Sequence, residues 1–140
     1  MSLPTLALVK SYYAAFNRGD TEAMLALLTE DVAHDINQGT REIGIAKFRA
    51  FMARMNGAYR ERLEDIVVMA TSDGSRAAAE FTVHGEYLAA EAGLPPAHGQ
   101  RYVLPAGAFF AVRQERIARV TNYYNLEDWL RQVRDAATIA

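Results

Sequence analysis

SYYAAFNRGDTEAMLALLTEDVAHDINQG, residues 11–39, contains the end of one helix, a turn, a second helix and the start of a sheet. Upstream and into this stretch, Leu6, Val9, Tyr13 and Phe16 recur at spacings of three and four, which predicts a helix from Leu3 to about Phe16. Asn17-Arg18-Gly19-Asp20 ends it: Gly19 suits the left-handed position after a helix, and the Asp20 carboxylate can cap the next one. That second helix, Thr21 to Leu28, places Met24, Leu27 and Leu28 on one side. From Asp31 to Asn37 the period drops to two, with Val32, His34 and Ile36 on one face of a strand that Gln38-Gly39-Thr40 closes.

Working outward, a third helix is predicted from Ile43 to Gly57, with Ile45, Phe48, Met52 and Met55 on its apolar stripe. Leu63 to Thr71 and Arg76 to Leu88 read as two strands joined by the turn Ser72-Asp73-Gly74-Ser75. Pro95, Pro96 and the flanking glycines make residues 89–99 a loop. Tyr102 to Val112 and Arg116 to Tyr124 form a second hairpin, after which Asn125 caps a closing helix striped by Leu126, Trp129, Leu130 and Val133. The order ααβαββββα is an α+β layout in which helices cover one face of a mostly antiparallel sheet.

No repeat, low-complexity tract or linker divides the 140 residues, so one domain spanning 1–140 is expected. With 51% hydrophobic and 23% charged residues the chain has the composition of a folded domain. The absence of cysteine removes disulfides, thiolate nucleophiles and cysteine-based metal sites. A net charge of −2 argues against sequence-independent binding to nucleic acid. No apolar run is long enough to span a membrane, and the opening MSLPTLALVKSYY lacks the pattern of a secretory signal, so a cytoplasmic protein is expected.

His34, His84 and His98 are too widely spaced for a local metal motif, and there is no HExxH, so no metal is expected. Neither a GxSxG elbow nor a phosphate or dinucleotide loop occurs, so no cofactor is expected either. What remains is acid–base and hydrogen-bond chemistry by His, Asp, Glu, Tyr and Asn in an apolar pocket. His34 shares a face with Val32 and Ile36, which points it toward the core side, where an imidazole is a credible general base near neutral pH. Asn122, among apolar neighbours on the last strand, needs a hydrogen-bond partner from the protein or from a ligand.

The stretch 11–39, the loop GLPPAHGQRY (93–102) and the hairpin FFAVRQERIARVTNYYN (109–125) resemble the ketosteroid isomerase and SnoaL-like polyketide cyclase group of the nuclear transport factor 2-like superfamily. The resemblance covers nearly the whole chain. It implies a cone-shaped α+β barrel: a curved, mostly antiparallel sheet wrapped by three N-terminal helices and a C-terminal one around an apolar cavity. It also implies a homodimer packed through the sheet, whose outer face would include Phe110 and Tyr123, with Glu80, His84 and Glu86 at the interface or in solvent.

Carried over by position, the isomerase's oxyanion-stabilising tyrosine falls on Tyr12, with Tyr13 next to it. Its catalytic aspartate falls on Ile36, and its second acid falls near Gly107, flanked by Ala106 and Ala108. Two of three catalytic positions are therefore lost, and steroid isomerisation by that mechanism is disfavoured. The substitutes expected are His34 as base, Tyr12 and Asn122 as donors to a developing oxyanion, and Asp35 to orient or replace His34. Tyr13, Ile36, Phe109, Tyr124 and Trp129 are expected to line the substrate pocket. The function so implied is cofactor-independent isomerisation, cyclisation or dehydration of an apolar, carbonyl-bearing small molecule. The alternative is a non-catalytic domain that binds small molecules or assembles as a dimer.

Overall fold

The computed structural model describes residues 3–139. Helix α1 spans Leu3–Asn17 and α2 spans Thr21–Leu25, joined by Gly19 at φ +74° and capped by Asp20, whose carboxylate accepts from the Ala23 amide. The helix ends three residues earlier than its spacing suggests. Leu28 is instead the first residue of strand β1 (Leu28–Asp35), aligned with Ile117 in the last strand and only 1% exposed. A short strand β2 (Arg41–Ile43), not foreseen from sequence, pairs antiparallel with β1. It takes up Ile43, which would have opened the third helix. Gly44, at φ +103°, then turns the chain into α3 (Ile45–Ala58).

Strands β3 (Tyr59–Ala70), β4 (Arg76–Tyr87), β5 (Gln100–Arg113) and β6 (Arg116–Tyr124) follow, and α4 (Leu126–Ile139) closes the chain. The sheet runs β2-β1-β6-β5-β4-β3, antiparallel throughout except where β1 lies parallel to β6. Four helices on one side of this curved open sheet make the α+β layout that the sequence order implied, in the cone form that the resemblance implied. Among the described residues no helix is long and apolar enough to cross a membrane.

Strand β3 begins four residues before its apolar pattern does. Tyr59, Glu61 and Leu63 turn inward; then a bulge shifts the register between Glu64 and Val67, with Asp65 at φ +55°. Beyond it Ile66, Val68 and Ala70 are the inward residues. One extra residue reverses the alternation there, and before it the polar Glu61 stands among the inward residues, so the strand's first third carries no clean apolar period-two signal.

The core lies between the sheet's concave face and the helices. Val9, Tyr12 and Tyr13 of α1, Phe81 of β4 and Phe110 of β5 are all buried there, and each apolar side chain so removed from water contributes about 1.5–3 kcal/mol. At the opposite end Trp129 packs edge-on against Tyr59, Tyr87 and Tyr102, with ring centroids 6.1, 5.0 and 5.9 Å away. Asn125 caps α4 by accepting from the Asp128 amide, as its position predicted. The proline loop folds onto this end: the Tyr87 hydroxyl donates to the Pro95 carbonyl at 2.7 Å, and Tyr59 donates to Glu91 at 2.9 Å.

Candidate functional site

Within the cone is a cavity of about 700 Å³, lined by side chains from α1, α3, α4 and the concave face of the sheet. His34 enters it from β1. Alternation with the outward Ala33 and Asp35 turns the imidazole toward the helices, where its ring stacks on Phe48 (4.3 Å between centroids) and meets the edge of Phe51 (4.6 Å). Only 1% of the residue reaches solvent. Burial therefore pushes the imidazole below its ordinary value of 6.5, partly offset by the negative charges of Glu42 and Asp35, and the neutral form prevails at neutral pH.

The Asn122 amide nitrogen, from the adjacent strand β6, stands 3.4 Å from His34 Nε2, while Nδ1 is buried with no partner among the described residues. With Nε2 accepting, the ring proton sits on Nδ1. An unpaired buried polar atom costs about 1–3 kcal/mol, a cost that protein interiors normally avoid. Tyr12 and Tyr13 reach the same cavity from α1, and burial raises both hydroxyls above the usual tyrosine range, keeping them protonated donors. The Tyr13 hydroxyl is a second buried group without a partner. A neutral imidazole, an amide and phenolic donors thus share one aromatic chamber. Such a set can accept a proton and stabilise a negatively charged oxygen without further groups.

A family model described as the SnoaL-like domain matches residues 9–120. The chain belongs to the SnoaL-like family. Its fold agrees: a crystal structure of a candidate polyketide cyclase from Pseudomonas putida is 68% identical, with a TM-score of 0.91 over 92% of this chain and 97% of that one. A second candidate polyketide cyclase, from Xanthomonas campestris, is 60% identical, with a TM-score of 0.92 over 94% and 98% of the two chains. An NTF2-like protein of unknown function from Burkholderia pseudomallei, 17% identical, shares the fold, with a TM-score of 0.79 over 93% and 97%. No curated protein sequence matches the chain.

In this SnoaL-like protein, His34, Tyr12 and Asn122 line one cavity, and Tyr13, Ile36, Tyr124 and Trp129 line it with them. Gly107, where the resemblance put the missing acid, also borders it. Three expectations are corrected. Asp35 lies on the outer face, where its carboxylate accepts from Arg41 at 2.6 and 3.0 Å and from the Thr121 hydroxyl at 2.6 Å. These bonds hold its pKa at about 2. One residue's step along a strand reverses the face, so Asp35 acts on His34 only as a nearby charge and cannot replace it.

Phe109 does not line the pocket. It is half exposed on the outer face and meets Tyr123 edge-on at 5.8 Å, whereas Phe110 points inward onto Tyr12 and is fully buried. The hairpin register decides this, because Phe109 faces Thr121 while Phe110 faces Val120, and directly opposed residues share a side of the sheet. The expectation that Phe110 faces outward is corrected by the same register. His84 is on the outer face beside Glu64 (3.2 Å), and His98 is exposed in the proline loop.

Among the cavity residues that sequence reasoning missed, one is a buried acid. Glu61, on β3, lines the chamber and accepts a 2.5 Å hydrogen bond from the Tyr102 hydroxyl. Burial raises its carboxyl above the ordinary value, against the lowering effect of that bond. The available signal was its position two before Leu63, on the face that Leu63 buries.

Proposed function

We propose that this SnoaL-like protein is a cofactor-independent acid–base enzyme acting on an apolar, carbonyl-bearing small molecule. His34 takes a proton from the carbon next to the carbonyl; the C–H bond breaks and its electron pair passes into the enolate oxygen. Tyr12 and the Asn122 amide donate hydrogen bonds to that oxygen. Return of the proton at another carbon gives isomerisation, and attack of the enolate carbon on a second carbonyl gives aldol cyclisation, with loss of water afterwards as the dehydration route. The names of the Pseudomonas and Xanthomonas relatives favour the cyclisation branch.

The observation that supports the reading best is the His34–Asn122 contact inside the cavity. At 3.4 Å it is long enough for a substrate to displace at small cost, and it orients the imidazole that burial keeps neutral. The test is exchange of the α protons of 2-acetonaphthone with D₂O, followed by NMR. The protein should accelerate exchange over buffer, and His34→Ala should lose about 100-fold or more of that acceleration. Wild-type exchange no faster than buffer, or an unchanged rate in the variant, overturns the proposal.

A further inference from the structure

Of the two acidic side chains that line the cavity, Glu61 and Glu91, Glu61 is the one without an ion-pair partner among the described residues, and the fold goes to some length to hold it. The Tyr102 ring reaches it from β5 by crossing over β4 at Gly85, the residue aligned with both. A Cβ on Gly85 would lie 2.2 Å from the Tyr102 ring, so the crossing exists only because that position has no side chain. The Tyr102 hydroxyl then donates to Glu61 Oε2 at 2.5 Å.

The carboxyl's other oxygen has no bond among the described residues, nor does a cation stand in ion-pair range of it. The titratable groups facing Glu61 from neighbouring elements are tyrosines, Tyr102 on β5 and Tyr124 on β6. Glu91, the remaining acid of this end, is already engaged by Tyr59 at 2.9 Å and Arg54 at 3.2 Å. Glu61 is therefore a positioned carboxyl, tied on one side and open on the other, in a box whose nearby rings offer it no second donor.

We propose that Glu61, positioned by Tyr102, is a ligand-binding group that accepts a hydrogen bond from a hydroxyl of the bound molecule, a phenol or an enol. Among donors, a hydroxyl fits better than an ammonium group, because a neutral group costs far less than a cation to take out of water into an enclosed, largely aromatic chamber. With His34 supplied by β1 and Glu61 by β3, opposite flanks of the sheet, the ligand is polar at two separate points and apolar between them. The inference rests on the reading that this cavity takes a carbonyl compound, and it adds a hydroxyl to that compound's description.

The test measures binding, not turnover, by titrating 2-naphthol and its methyl ether into the protein and following the quenching of Trp129 fluorescence. Wild-type protein should bind the naphthol about tenfold or more tightly than the ether, as expected for a hydrogen bond to an ionised acceptor. Glu61→Leu should bring the ratio close to one, and Tyr102→Phe should lower it, with circular dichroism confirming that both variants fold. The preference should grow as the carboxyl ionises with rising pH and should be flat in Glu61→Gln. Binding of naphthol breaks no C–H bond, so failure of the proton-transfer chemistry, followed by α-proton exchange, and failure of this inference are read separately. Equal affinities in the wild type, no saturable binding of either compound, a preference that survives Glu61→Leu, or tighter binding of 2-naphthylmethylammonium than of naphthol overturns the proposal.

Discussion

Substituting Gly85 by alanine tests whether the Tyr102–Glu61 link is built into the fold. The new Cβ would sit 2.2 Å from the ring carbon bearing the hydroxyl and 2.5 Å from the hydroxyl oxygen, separations that no real carbon tolerates. Tyr102 must swing away or the strand must shift, at about 1–3 kcal/mol for overpacking. Glu61 then loses its donor while staying in the cavity, adding about 1–3 kcal/mol. The sum, about 2–6 kcal/mol, lowers the melting temperature by roughly 6–18 °C for a chain of this size. Urea denaturation followed by fluorescence suits the measurement, since the chain has one tryptophan and Trp129 lies 5.9 Å from the Tyr102 ring. The decisive arm repeats Gly85→Ala in a Tyr102→Ala background. There the clash is gone, and because glycine loses more chain entropy on folding than alanine, the substitution should be neutral or stabilising by about 0.5 kcal/mol. A cost below about 1 kcal/mol in the wild type, or the same cost in both backgrounds, refutes the reasoning.

Three further outcomes are expected. His34 is held below its ordinary value, so its neutral form is the one the fold prefers: the stability it contributes is full above pH 6.5 and declines as pH falls from there through the folded value. The urea midpoint should fall less between about pH 7.5 and about pH 5.5 in His34→Leu than in the wild type; equal slopes reject the assignment. Asp35, held near 2, contributes stability above its ordinary 3.8 that is lost as pH drops toward 2. On the partly exposed outer face it is worth at most about 1 kcal/mol, and Asp35→Asn should leave α-proton exchange unchanged, which kinetic and denaturation data together would check. Finally, Val67, Met69, Phe109 and Tyr123 are each about half exposed on the outer face of the sheet, and pairing of two copies there predicts a sedimentation mass about twice 15.5 kDa. Phe109→Asp should return the mass to that of a single chain, and a wild type already at that mass refutes the pairing.

The amino-acid sequence by itself determined the elements and much of one side of the cavity. Period-two spacing put Val32, His34 and Ile36 together, and the same rule separated Asp35 from them, because alternation is local and needs no partner strand. Helical spacing likewise brought out the buried faces of α1 and α4, including Tyr13 and Trp129. The tertiary structure decided what depends on pairing. The register of β5 with β6 turned Phe110 inward and Phe109 outward, although two adjacent phenylalanines look equivalent in the sequence. The bulge at Asp65 reversed the inward face of β3 beyond Glu64, and before it the charge of Glu61 masked an inward position. Contact between Glu61 and Tyr102, 41 residues apart, exists because three strands align Glu61, Gly85 and Tyr102 in one row. Local spacing carries no record of such a row: it is a property of cross-strand register, which the core fixes only when the sheet closes on the helices.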